Sequence, residues 1–252
     1  MNKTERQPMN SSGWFLDSGN TEEIKKWKEV IGGVTTNQLI LFEKDKIYNI
    51  PEHLAKMCKI VGPNVPISIE LPDSKASFEE MVDLATAYHD QFPENTVIKV
   101  PIIPDDVKGL KVISALVGKN IRTNATIGIN EGQLMLAAEA SRRYAGEGST
   151  YVSLFWGRAI ESSEKGESRG PRQVLEVTVN YLANHNLDTR IIIGSIRQES
   201  QVIEAFELGA DIVTVPSKIL EKMMFTTRAK ETVDQFDAAY EKVKDNPNLK
   251  LI

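Results

Sequence analysis

Eight short apolar runs, helically spaced segments between them and a length of 252 residues together predict an α/β protein, a single-domain (β/α)8 TIM barrel with an extra C-terminal helix. The runs are Trp14–Asp17, Gly33–Asn37, Pro66–Glu70, Val97–Val100, Ile121–Ile127, Tyr151–Phe155, Arg190–Gly194 and Asp211–Val215, most of them rich in the Val, Ile and Thr that favour strands. Helical spacing occupies Thr21–Ile31, Ser77–Gln91, Asp105–Leu116, Glu131–Arg143, Gln173–Ala183 and Ser200–Leu208. Alternation of this kind predicts parallel strands joined by helices, and eight units in one domain length favour a closed barrel over an open sheet. Punctuation agrees: Asn20 precedes Thr21-Glu22-Glu23 as an N-cap, Pro104-Asp105-Asp106 opens the fourth helix, and Gly209 closes Ser200–Leu208. Residues 229–243 read as one more amphipathic helix, with Val233, Phe236, Ala239, Tyr240 and Val243 on one side, placed to cover the barrel or to pack on a neighbouring subunit of a homo-oligomer. The polar tract from Glu161 to Arg172 reads as a mobile loop after the sixth strand, at the mouth of such a barrel.

Composition narrows the function classes. A hydrophobic content of 41%, 26% charged residues and no apolar stretch of membrane-spanning length describe an ordinary globular chain with no membrane partner. The polar residues 1–12 lack an apolar core and read as a flexible N-terminal extension ahead of a barrel over 13–252, which makes the cytoplasm the expected compartment. A formal charge of −5 provides no basic footprint for nucleic acid. Cys58 is the single cysteine, and His53, His89 and His185 are scattered without paired ligand spacing, so neither a disulfide nor a zinc site is expected. There is no P-loop and no G-x-G-x-x-G, and the expected cofactor is none.

Lys99 stands within Thr96-Val97-Ile98-Lys99-Val100-Pro101, a run that belongs in a core, where an unpaired ammonium is poorly tolerated. A desolvated lysine is pushed toward its neutral amine, a nucleophile able to form a Schiff base with a ketone. The plainer reading is a strand-end lysine with a buried stem and a solvated head. Other polar residues fall at or just after the ends of the remaining runs: Asp17, Asn37, Glu70, Asn124, Thr126, Ser153, Arg158, Ser195 and Arg197. In a barrel such positions converge on the catalytic mouth, although singly each has a structural reading, Asp17 as a cap, Thr126 as a strand residue and Arg158 as a surface ion pair.

Phe15-Leu16-Asp17-Ser18, Gly33-Val34-Thr35-Thr36-Asn37, Val97-Ile98-Lys99-Val100-Pro101, Asn124-Ala125-Thr126, Tyr151 to Arg158 and Gly194-Ser195-Ile196-Arg197 together resemble the signature segments of the transaldolase family, in family order, over about residues 14–245. The resemblance implies a metal-free class I aldol enzyme on a (β/α)8 barrel. It implies Lys99 as the Schiff-base lysine and Asp17 as the acid/base at the C4 hydroxyl, with Glu70 and Thr126 holding the water of dehydration and hydrolysis. It further implies Asn37, Asn124 and Ser153 as partners of the dihydroxyacetone hydroxyls, and Arg158, Ser195 and Arg197 as the site for the substrate's distal anion. The related fructose 6-phosphate aldolases have glutamine and tyrosine where this chain has Glu70 and Phe155, so the resemblance favours a transferase. Its partners are a sugar phosphate or sulfosugar donor and an aldehyde acceptor.

The chain departs from the family pattern at Gln38, Ile129, Trp156 and Ile196, which leaves the substrate tail open between a phosphate and a sulfonate such as that of 6-deoxy-6-sulfofructose. Trp156 either offers its indole N–H to that anion or packs against the surrounding helices, since adjacent strand residues face opposite ways. Two other functions fit the same residues: a fructose 6-phosphate aldolase-like lyase that releases dihydroxyacetone, and a non-catalytic sugar-phosphate binding barrel.

Overall fold

The computed structural model describes residues 13–102, 106–146 and 148–251. Parallel strands β1 (Trp14–Asp17), β2 (Gly33–Thr35), β3 (Ile67–Glu70), β4 (Thr96–Pro101), β5 (Thr123–Gly128), β6 (Tyr151–Phe155), β7 (Arg190–Gly194) and β8 (Ile212–Val215) close into a barrel in sequence order. Register sets the layers, because paired residues in a parallel sheet share a face. Glu70 pairs with Lys99 and Lys99 with Asn124, so three of the expected site residues lie side by side across three strands.

Alternation along each strand separates two apolar populations. Leu16, Val34, Ile67, Ile69, Ile98, Val100, Val152, Leu154, Ile191, Ile193 and Val213 are buried in the large core between sheet and helices. Phe15, Val97, Tyr151, Ile192 and Ile212 form a separate small cluster, the plug inside the barrel. Two residues further along several of these strands come Asp17, Lys99, Ser153 and Thr214, which share the plug's face but stand nearer the C-terminal ends. Each fully buried Ile, Val or Phe contributes about 1.5–3 kcal/mol, and this burial holds the polar layer in place. Gly33 is required beside the plug, because a Cβ there would lie 2.5 Å from the Phe15 ring.

Helices α1 (Thr21–Trp27), α2 (Ile50–Val61), α3 (Phe78–Gln91), α4 (Lys108–Gly118), α5 (Glu131–Ser141), α6 (Trp156–Glu164), α7 (Pro171–Asn184), α8 (Glu199–Glu207) and α9 (Ser217–Met224) alternate with the strands, and a π-helical turn spans Leu39–Lys44. The Asn20 cap is present, its side chain accepting from the Glu22 and Glu23 amides, and Gly209 leaves α8 with φ +93°. Pro104 and Asp105 of the expected helix opening lie outside the described residues, as do residues 1–12. Gln38 donates through Nε2 to the Leu71 carbonyl and ties the π-helical turn to the end of β3.

The expectation of a loop over Glu161–Arg172 is corrected. Residues Glu161–Glu164 complete α6, α7 begins at Pro171, and only six residues connect them, turning at Gly166 with φ +74°. The tract is polar because it is the solvent side of a helix end, not because it lacks structure. Helix α10 (Thr227–Glu241) carries the expected apolar stripe but buries none of it, and Phe236 is 69% exposed. It does not cover its own barrel.

Candidate active site

Lys99 is 3% exposed and its Nζ donates to the Thr36 carbonyl at 2.8 Å. The Glu70 carboxylate lies 3.0 Å from the same nitrogen, a charge contact outside hydrogen-bond alignment that leaves Oε2 without a hydrogen-bond partner. The Phe155 ring faces the ammonium from 6.0 Å and completes an apolar wall. The plainer reading of a snorkelling lysine does not describe this side chain, whose nitrogen stays within the barrel.

Asp17 accepts from Thr35 Oγ1 at 2.8 Å, and Thr35 in turn shares a 2.6 Å hydrogen bond with Thr214. Part of the carboxyl surface opens on the cavity, but protein surrounds the rest. Burial pushes its pKa up, and this outweighs the nearby Lys99 charge and the Thr35 hydrogen bond, which act the other way.

On the opposite wall Ser153 donates to Asn124 Oδ1 at 2.7 Å, and Asn124 Nδ2 donates to Ser68 Oγ at 3.2 Å. This chain fixes which face of the Asn124 amide looks into the barrel. Thr126 is fully buried and its hydroxyl has no protein partner. Directly after it β5 shifts register, with Ile127 at φ +67°, a rare conformation for a β-branched residue. Such a bulge re-aims a strand end, and here it follows the residue expected to touch the reacting water.

Asp17, Asn37, Lys99 and Ser153 surround a cavity of about 140 Å³, and Phe155, Arg158 and Ser195 extend its lining toward the mouth. Asn37 also binds its own turn, its Oδ1 accepting from Ile40 N at 3.0 Å. At the rim, Arg158 Nη1 and Arg197 Nη2 reach the two oxygens of one carboxylate, Glu161, at 3.1 and 2.5 Å. Gly157 makes room for this arrangement, since a Cβ there would stand 2.6 Å from Arg197 Nε. Ser195 holds φ +57° at the end of β7, and its carbonyl accepts from Gly157 N at 3.1 Å.

One expected substrate contact is corrected. Trp156 is 2% exposed within the core between sheet and helices, because β6 ends at Phe155 and the chain turns into α6, sending the indole away from the mouth. Ile196 is buried in the same core, so both departures face the packing between sheet and helices. Conversely, Thr35, Ser68, Thr214 and Glu161 were not singled out from sequence. Period-two spacing from Asn37 and Glu70 points to Thr35 and Ser68, whereas no local signal marks Glu161.

A larger groove, about 480 Å³, lies around Asn64, His89, Arg122 and Tyr144. Its residues precede strands, so it opens at the end of the barrel away from Lys99, and it holds none of the strand-end carboxylates. Among the described residues no three His, Cys, Asp or Glu side chains gather as a metal cluster, and no helix is long and apolar enough to cross a membrane.

A family model described as transaldolase/fructose-6-phosphate aldolase matches residues 14–249. The chain belongs to that family. Its transaldolase relatives include a probable transaldolase of Moorella thermoacetica, 36% identical with 92% of this chain and 98% of the relative covered. A probable transaldolase of Nitrosopumilus maritimus is 32% identical over 94% of this chain and 99% of its own. The barrel is also similar to a solved dihydrodipicolinate synthase family protein from Coccidioides immitis, with a TM-score of 0.55 at 9% identity, covering 82% of this chain and 68% of that one. That similarity concerns the fold alone. Membership of the transaldolase/fructose-6-phosphate aldolase family makes the chain an enzyme of aldol type.

Proposed function

We propose that the protein is a transaldolase-type transferase that moves a dihydroxyacetone unit from a ketose phosphate or a 6-sulfonated ketose to an aldehyde through a Schiff base on Lys99. The observation that carries this reading is a buried lysine nitrogen 3.0 Å from Glu70, in a cavity shared with the Asp17 carboxylate.

Attack requires the neutral amine, and Glu70 is the adjacent group able to take the proton. Lys99 Nζ adds to the donor's C2 carbonyl, and the carbinolamine loses its oxygen as water to leave an iminium. Glu70 Oε2 and Thr126 Oγ1, both buried without hydrogen-bond partners, are suited to hold that water. Asp17 then takes the proton of the C4 hydroxyl, the C3–C4 bond breaks, and its electron pair enters the iminium as an enamine. The aldehyde fragment departs. The enamine carbon attacks the acceptor's carbonyl, Asp17 returns its proton to the new alkoxide, and water hydrolyses the iminium to free Lys99. Asn37, Asn124 and Ser153 hold the hydroxyls of the retained three-carbon unit, while Arg158, Ser195 and Arg197 face the tail. The exposed stripe on α10 supports a homo-oligomer in which that helix packs on a neighbouring subunit.

Borohydride reduction in the presence of a ketose donor tests this reading. A dihydroxyacetone-derived mass on Lys99 is expected, and Lys99→Met abolishes it while the melting transition persists. An unlabelled wild-type chain overturns covalent catalysis in favour of binding alone, and labelling that survives the substitution moves the nucleophile elsewhere. Assays with and without an acceptor aldehyde separate transfer from a lyase that releases dihydroxyacetone.

A further inference from the structure

Two threonines on separate strands stand behind the Asp17 carboxylate and form one hydrogen-bond chain with it. Thr35 on β2 pairs in register with Asp17 on β1, and its Oγ1 donates to Asp17 Oδ1 at 2.8 Å. Thr214 on β8, the strand on the other side of β1, brings its own Oγ1 to 2.6 Å from Thr35 Oγ1. Thr35 is 2% and Thr214 4% exposed, so the chain is largely shielded from water.

Counting hydrogens fixes the direction of this chain. A hydroxyl has one hydrogen to give, and an ionised carboxylate can only accept. Thr35 spends its hydrogen on Asp17, so the contact between the two threonines is closed by the hydrogen of Thr214. Branching sets Thr214 for this task. Its Cγ2 lies toward β7, where a Cβ on Gly194 would stand 3.5 Å away, and its Oγ1 turns the other way, toward β2. The chain ends on Oδ1. Among the described residues Oδ2 takes no hydrogen bond, and it is not sealed off from the cavity that Asp17 lines.

We infer that Thr214 is a positioning residue for the acid/base step: through Thr35 it holds Asp17 Oδ1 as a fixed acceptor and leaves Oδ2 as the oxygen that exchanges the substrate's proton. This rests on the reading of Asp17 as the acid/base. The proton passes from the C4 hydroxyl to Oδ2 and later from Oδ2 to the new alkoxide, while both threonines keep their own hydrogens. The charges around Asp17 are Lys99 on β4, Lys44 on the π-helical turn and Glu70 on β3, and the neutral threonine chain adds a hydrogen bond that favours the carboxylate. Loss of either hydroxyl weakens that support, so Asp17 protonates at higher pH and activity is lost sooner as pH falls.

The test is the acid limb of kcat against pH, measured with a 6-phosphorylated ketohexose as donor and a three-carbon hydroxyaldehyde as acceptor. This limb reports Asp17, because Lys99 no longer titrates as an amine once it is held in the iminium. Thr35→Ala is expected to move the limb upward by about one pH unit and Thr214→Ala by about 0.3, since the first removes a hydrogen bond to a charge and the second only its orientation and polarisation. Thr214 acts through Thr35 alone, so the double variant should match Thr35→Ala. Thr214→Ser, which keeps the hydroxyl, should bring the limb back toward that of the wild type, and melting scans check that each variant folds. A Thr214→Ala limb that coincides with the wild type, additive shifts in the double variant, or a serine variant that behaves like alanine overturns the inference. If borohydride with the same donor still labels Lys99 in such proteins, the Schiff-base reading stands without it. A wild type that is never labelled removes the reading beneath.

Discussion

Asp17 is held where burial favours its neutral form, yet the proposed cleavage of a donor needs the carboxylate. Its folded-state pKa lies above the unfolded value, so between the two the native state binds the extra proton. Stability associated with this group is therefore present at low pH and lost as pH rises through the folded pKa. Asp17→Asn, which cannot ionise, should abolish turnover and gain stability relative to wild type as pH is raised. Urea unfolding at about pH 4 and about pH 7 checks this, with the wider gap expected at the higher pH. At the rim the opposite chemistry applies. Arg197 is 48% exposed and screened by solvent, so Arg197→Ala should raise donor KM by about tenfold, the low end for a charge-assisted contact, and change kcat less. Steady-state kinetics with a charged donor settles it, and an unmoved KM removes Arg197 from the tail site. Lys99, Glu70 and Asp17 were legible as candidates because polar residues inside apolar strand runs are conspicuous. Glu161 was not, since a glutamate in a polar tract looks like any solvated residue until two arginines close on it.

Elements position these residues through alternation and register. The pairing of Glu70 with Lys99 and of Lys99 with Asn124 sets three polar groups in one layer, and a slip of one residue would turn every one of them into the helical shell. Close packing beneath that layer protects the register. Gly33→Ala places a methyl 2.5 Å from the Phe15 ring, so the plug must shift, and a loss of about 1–3 kcal/mol in denaturant unfolding is expected, with reduced activity as the layer above moves. The strands were readable from their Val, Ile and Thr content, and the caps of α1 and α8 from Asn20 and Gly209. Trp156 was not decidable, because its direction depends on where β6 ends and α6 begins. The Glu161–Arg172 tract misled for a related reason: local polarity cannot distinguish a loop from the wet side of a helix end. The bulge after Thr126 leaves no mark in composition, since it is imposed by the fit of β5 to β6.

For the whole molecule, closure of the barrel gathers strand ends that are distant in sequence around one cavity and leaves α10 standing clear of it. An apolar stripe containing Phe236 at 69% exposure is unusual on a helix that buries nothing. Phe236→Glu should therefore yield a smaller species than wild type in sedimentation velocity while borohydride labelling of Lys99 persists. A wild type already sedimenting as a monomer would remove the proposed oligomer. The amino-acid sequence by itself determined the eightfold alternation, the strand runs, the family and the lysine around which the chemistry is proposed, because periodicity and a misplaced charge are local properties. Only tertiary structure decided that Trp156 serves the core, that Thr35 and Ser68 brace the site and that Glu161 occupies both arginines. Those facts depend on which side chains meet across the closed barrel, and distance in space is not written in distance along the chain.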